Sequence, residues 1–344
     1  MPIRCSKKLI AALLFSLVLL AGAVINLSDD SFYAEVYAWY PDGKVVNLSP
    51  APQGKYYEPQ VHPLGTAVIF FGNERGVPRI WQTDLASGKS MPLTPDSFSA
   101  RQAAYAWDGQ QIVYAADEGS GQPLENVELM GKDGTPPPSH HFNLFVMNPD
   151  GTNRRRITTG TFQDQRPCFS PDGKMIAFVS NRGGGTHLWS VPADGSHAPV
   201  ALQTKGYGYR PCFSADGKWI YFFSAFGQKH QICRMPAAGG EIEPLANDTL
   251  GMSHGPFVLP DGKSLLMHSY SCGRYAIWEL PLDGSPPHLA QPPGFDFATH
   301  ATRSQNGITS FDIAENKSLL RRLAAQLKRK AYHWTGCTPA IGRR

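Results

Sequence analysis

The chain has 344 residues, 42% of them hydrophobic and 17% charged, with a formal net charge of +4. That length accommodates two average domains or one closed repeat architecture. The charge is small and much of it follows Lys317, which excludes a nucleic-acid footprint on the body of the chain.

At the N-terminus Arg4, Lys7 and Lys8 form a basic region, Leu9 to Leu20 an apolar one, and Ala21-Gly22-Ala23 supplies small residues suited to signal-peptidase cleavage. Residues 1–23 are therefore expected to be an export signal, or else an uncleaved anchor through residues 9–25, at the short edge of a bilayer span. The corresponding locations are the periplasm or the exterior, or a membrane surface. Cys5 precedes the apolar region and is not placed as a lipoprotein cysteine. Cleavage would leave Cys168, Cys212, Cys233, Cys272 and Cys337, an odd number, so at least one thiol stays unpaired. Cys168 and Cys212 fall at equivalent points of neighbouring repeats and read as buried small apolar residues or as a pair.

After a short linker, residues 34–40 and 44–48 flank Pro41-Asp42-Gly43 as a hairpin. From residue 58 onward one pattern recurs. It is clearest in Arg166-Pro167-Cys168-Phe169-Ser170-Pro171-Asp172-Gly173-Lys174, followed by the apolar run Met175 to Ser180 and by His187-Leu188-Trp189. A near copy runs from Arg210 through Asp216-Gly217 to Ser224, and a third from Pro256 through Asp261-Gly262 to Met267. Weaker copies turn at Gly65, Gly109 and Gly307. The turn glycines stand roughly 44 residues apart, the period of a four-stranded propeller blade, with one longer interval. The extra length is Asp117 to His141, a polar insertion with Pro136-Pro137-Pro138 and His140-His141 that reads as a loop. Residues 299–313 resemble the first half of a repeat and residues 34–48 the second. The expected fold is all-β: a six-bladed β-propeller over residues 33–313, its last blade closed by strands from both termini. Beyond it, residues 315–344 carry Leu319, Leu320, Leu323 and Leu327 at helical spacing among basic residues. This is a basic amphipathic helical tail, which packs on the propeller or uses residues 317–330 to touch a membrane surface or partner.

The repeated Pro-x-Phe-Ser-Pro-Asp-Gly-Lys-x-Ile-x-Phe, with Leu-Trp and Asp-Gly following, resembles the WD40-like repeat of TolB-type propellers. The resemblance is strongest over residues 162–285. It implies a periplasmic six-bladed propeller, which in TolB carries a separate N-terminal α/β domain that docks other Tol envelope proteins. The TolB N-terminal α/β domain is not expected here, because about ten residues separate the cleavage site from the first strand. The same repeat occurs in propeller domains of prolyl-oligopeptidase-type peptidases and in oligogalacturonate lyases.

Enzyme motifs are sparse. There is no Gly-x-Ser-x-Gly nucleophile elbow, and Gly183-Gly184-Gly185 lacks the lysine and helix of a phosphate-binding loop. Asp172, Asp216 and Asp261 belong to turns and read as structural. His187, His230 and His268 show no metal-ligand spacing. Aligning the turns does gather polar residues at the start of the innermost strands: Glu58, Gln102, Arg166, Arg210, His254 and His300, with Arg101, Asp164, Gln165 and Tyr209 beside them. In a closed ring these converge on one channel mouth, the default place for a binding site. The plain alternative is a wet channel in which Arg166 and Arg210 pair with Asp164 or Glu58. The leading expectation is an exported, non-enzymatic scaffold that holds a protein segment or an anionic ligand at the mouth, with no nucleic-acid partner. The competing one is a carbohydrate-active lyase on an acidic polysaccharide, with a divalent metal at His254 and His300. No catalytic residue is identifiable in either case.

Overall fold

A computed structural model describes residues 32–51, 54–73, 77–118, 141–202, 206–226, 229–245, 248–250, 252–271, 274–295 and 297–316. The expected export signal (residues 1–23), the expected helical tail beyond residue 316 and all but the ends of the insertion at 117–141 lie outside the described residues; Glu315 and Asn316, expected in that tail, end a strand instead. Residues 34–314 form one compact unit. It is all-β: no helix occurs among the described residues.

The first six strands are β1 (Phe32–Trp39), β2 (Val45–Asn47), β3 (Lys55–Val61), β4 (Ala67–Asn73), β5 (Arg79–Asp84) and β6 (Ser90–Pro92). Four four-stranded sheets follow. One contains β7 (Ser99–Tyr105), β8 (Ile112–Asp117), β9 (Asn143–Met147) and β10 (Arg155–Arg156). The next contains β11 (Gln165–Phe169), β12 (Met175–Ser180), β13 (His187–Pro192) and β14 (Val200–Ala201). Then come β15 (Tyr209–Phe213), β16 (Trp219–Phe226), β17 (Lys229–Pro236) and β18 (Glu243–Pro244), and after them β19 (Ser253–Val258), β20 (Ser264–Ser271), β21 (Arg274–Pro281) and β22 (His288–Leu289). The chain ends in β23 (Ala298–Arg303) and β24 (Thr309–Asn316), which join the first six strands in an eight-stranded sheet of order β23-β24-β1-β3-β4-β5-β6, with β2 paired to β1. Within that sheet β1 meets β3 through one parallel pair, Ala34 with Lys55. The sheets stack face to face in a β-propeller arrangement. Apolar side chains between neighbouring sheets form the core: Ala177 packs with the next sheet's Phe213 and Ile220, while Ile176 and Phe178 on the other face pack with Phe169, Val191 and the preceding sheet's Val113 and Leu144.

The turns explain why the repeat reads so clearly. Asp172 Oδ1 accepts from Ser170 Oγ at 2.6 Å and from the Lys174 amide at 3.1 Å, and Asp216 does the same with Ser214 and Lys218. These aspartates brace turns whose glycines, Gly173 and Gly217, have φ near +70°.

The repeat has a second feature that positions the site. Every strand that opens a repeat is bulged: the register with its partner shifts between Tyr57 and Gln60, Arg101 and Ala104, Gln165 and Cys168, Tyr209 and Cys212, His254 and Phe257, and Thr299 and Thr302. One residue in each bulge is left-handed: Glu58, Gln102, Arg166, Arg210, Gly255 and His300, with φ between 51° and 59°. A bulge bends the strand and re-aims the side chain it carries.

Candidate functional site

The six left-handed residues border one cavity of about 210 Å³ that runs down the inner strands. Its wall below this ring is largely apolar, including Ala103, Ala104, Phe169, Phe213, Phe257 and Val258.

Glu58 is the centre of the ring. Arg210 Nη2 donates to Glu58 Oε1 at 2.7 Å, and Arg166 Nη1 pairs with the same oxygen. Burial works against the carboxylate, but Arg166, Arg210 and His300 outweigh it and hold its pKa down to about 2. Arg166 Nε donates to the Tyr209 hydroxyl at 3.3 Å, and its guanidinium lies 5.2 Å from that ring's centre. Arg166 is raised above its ordinary value: burial opposes the charge, and Glu58 and Tyr209 more than restore it. Arg210 is pushed down to about 10 by burial and by Arg166.

Arg101 and Tyr209 sit one residue ahead of the ring positions. The Arg101 guanidinium lies 3.7 Å from the centre of the Phe142 ring, and its Nε is buried with no hydrogen-bond partner. Burial, and Arg166 nearby, bring Arg101 down to about 10 as well. Gln102 Oε1 accepts from the Arg166 amide at 3.1 Å, whereas its Nε2 is buried and unpartnered. Two guanidinium groups thus share the Glu58 carboxylate, while Arg101 stacks on Phe142.

His300 closes the ring from β23. Its Nδ1 lies 2.9–3.0 Å from both oxygens of Asp312, which also accepts from the Thr299 hydroxyl and, at 2.8 Å, from the Glu58 amide. The His300 amide donates to His268 Nδ1 at 3.5 Å. His254, expected at the mouth beside His300, stands one residue ahead of the ring position, which Gly255 occupies. Its ring packs 4.6 Å from Phe223, 5.4 Å from His230 and 5.7 Å from His268. Burial lowers His254 to about 4 and His268 well below the usual histidine value, assisted by neighbouring histidines and Arg210. Among the described residues no group of three or more His, Cys, Asp or Glu side chains is placed to hold a metal ion.

Asp164 is drawn elsewhere. It is fully buried and accepts from Arg182 Nε at 3.2 Å and Ser180 Oγ at 2.7 Å, and burial raises its pKa against the pull of Arg182. Arg166 and Arg210 therefore pair with Glu58, not with Asp164. Cys168 and Cys212 line the cavity as free thiols, Cys168 pushed up to about 12 by burial, so neither is an activated nucleophile. Asp312 is not among the expected site residues, and His268, set aside for want of metal-ligand spacing, packs against His254 and His300. The signal for each was a lone polar residue in a second-strand apolar run, Phe311-Asp312-Ile313 and Leu266-Met267-His268.

Bulged strands arranged around a polar-mouthed cavity define the class: a β-propeller with a ligand-sized channel. Residues 137–292 match the family described as TolB beta propeller domain, and the chain carries a TolB-like propeller. A TolB homolog of Chlorobium luteolum is 27% identical over 166 residues, 48% of this chain and 33% of that protein. The Tol-Pal system protein TolB of Zymomonas mobilis is 39% identical over 66 residues, 18% of this chain and 14% of its own. The matched stretches thus span a third or less of these relatives. The structure of a putative TolB from Agrobacterium tumefaciens superposes with a TM-score of 0.65 at 17% identity, over 83% of this chain and 99% of that one, a likeness of fold.

Proposed function

We propose that this chain is an exported, non-enzymatic binding scaffold, a six-bladed propeller that holds a protein segment or an anionic ligand at the channel mouth. The observation that carries the reading is the composition of the ring. Left-handed backbone costs a non-glycine residue of the order of 1–3 kcal/mol and clusters at functional sites. Glycine would avoid that cost at all six equivalent positions, yet five hold Glu58, Gln102, Arg166, Arg210 and His300. All five border one concavity, and their arginines exceed the carboxylate they surround. Export rests on residues 4–23, and the count of six blades rests on dividing the eight-stranded sheet at its single parallel pair. A protein partner accords with the Tol-Pal system named for one relative.

The test is fluorescence anisotropy of a labelled oligoglutamate peptide. The expected result is saturable binding that weakens with salt and at least about tenfold in Arg210→Gln, which removes one charge-assisted contact. A folded protein that binds no acidic peptide, or an Arg210→Gln variant that binds as well as the parent, would overturn the anionic reading.

A further inference from the structure

The cavity behind the ring has a chemistry of its own. Gln102, Arg166 and Arg210 stand at its ring, and Ala103, Phe213 and Phe257 are among the apolar residues of its wall. Two features call for an anion at the ring. Gln102 is 5% exposed and lines the cavity, and its Nε2 is buried with no acceptor; a buried donor left unmade costs about 1–3 kcal/mol. Arg166 and Arg210 share the single carboxylate of Glu58, with Asp312 engaged by His300 and Thr299. The volume, about 210 Å³, is below the range of roughly 300–1,000 Å³ of drug-sized sites. A small ligand fits that size, and the apolar stretch of Ala103, Phe169, Phe213, Phe257 and Val258 favours an apolar body over a sugar.

We propose that this cavity binds a small monocarboxylate with an apolar body, its carboxylate accepting from Gln102 Nε2 and lying between Arg166 and Arg210, and its hydrocarbon part along Ala103, Phe213 and Phe257. The site shares Arg166 and Arg210 with the mouth and rests on the reading above, but its apolar wall belongs to the cavity alone. Acidic-peptide binding without octanoate binding, or the converse, tells the failure of one from the failure of the other.

Titration calorimetry on the full chain with octanoate, acetate and 1-octanol tests it. Octanoate is expected to bind at one site at least tenfold tighter than acetate, which lacks the body, and than 1-octanol, which lacks the charge. Gln102→Glu keeps the oxygen that accepts from the Arg166 amide and replaces the free donor with a carboxylate, so octanoate affinity should fall at least tenfold with the melting temperature retained. Ala104→Phe puts a ring into the cavity that Ala104 lines and should also abolish binding. Octanoate binding no tighter than 1-octanol or acetate, or unchanged in Gln102→Glu, would overturn the proposal. The ligand comparison on the parent protein decides it even if a variant does not fold.

Discussion

Gly255 is the ring position without a side chain, and its surroundings show why. A Cβ there would lie 2.9 Å from His268 Cε1 and 3.4 Å from Arg210 Cδ, on a backbone with φ of +59°. Gly255→Ala is therefore expected to cost about 1–3 kcal/mol, seen as a drop of several degrees in the thermal midpoint. Glu58 makes a sharper prediction. Its folded pKa is about 2 against an ordinary 4.5. The unfolded state thus binds the proton more readily, and the stabilisation is complete above pH 4.5 and lost as pH falls through 2. At about 1.4 kcal/mol per unit the shift corresponds to roughly 3 kcal/mol. Glu58→Gln should destabilise by about 3–5 kcal/mol at pH 7, because it leaves two buried guanidinium groups without their partner, and denaturant melts should show a flatter acid limb. His254 acts with the same sign at higher pH. Its folded value near 4 lies below the unfolded 6.5, so stability falls as pH drops from 6.5 towards 4, and His254→Phe should flatten that part of the curve.

At the scale of the element, the bulged strand and its partner are the functional unit. Asp312 on β24 shows this, since it accepts the Glu58 amide from β3 and holds His300 on β23. Asp312→Leu should cost at least about 1–3 kcal/mol through the buried Glu58 amide it orphans, read from a urea melt, and should weaken ligand binding by freeing His300. The turn chemistry that spaced the repeats was legible in the sequence because Asp-Gly turns carry fixed residues at fixed offsets. The same spacing put Glu58, Gln102, Arg166, Arg210 and His300 on a common ring. The same count of seven residues back from Gly262 gives Gly255, and His254 lies one residue ahead of it; the bulge itself no residue type announces. Asp312 escaped for a geometric reason. The pairing Arg303 with Thr309 shows the last turn to be one residue shorter than its equivalents, such as Val61 with Val68. Counting from Gly307 as from Gly65 then lands on Ile313. Asp164 was misplaced because its contact with Arg182 depends on a loop path rather than on the repeat.

For the whole molecule, closure falls to the strands furthest apart in sequence. β24 from the end of the described chain neighbours β1 from its start, and β1 reaches β3 through Ala34 and Lys55. The seam is more than backbone. Tyr37 stacks on Phe311 at 5.6 Å and meets Phe295 edge-on at 5.4 Å, while Val36, Ala38 and Leu48 bury fully against Tyr56 and Val68. Removing residues 1–48 would strip these contacts and leave one flank of β24 as an unpaired edge, the kind that pairs with other chains. Such a truncation is expected to lower the melting temperature by more than about 10 °C and to form higher-order species in size-exclusion chromatography. The ring should suffer with it. Glu58 lies on β3 and His300 and Asp312 on β23 and β24, so opening the seam parts the residues that set the charge of the mouth. Ligand affinity should then fall further than the lost contacts of residues 34–48 alone would give, none of which borders the cavity. A truncated chain that keeps its melting temperature and its affinity would show that the blades cohere without the seam, and the two-ended closure would have to be abandoned.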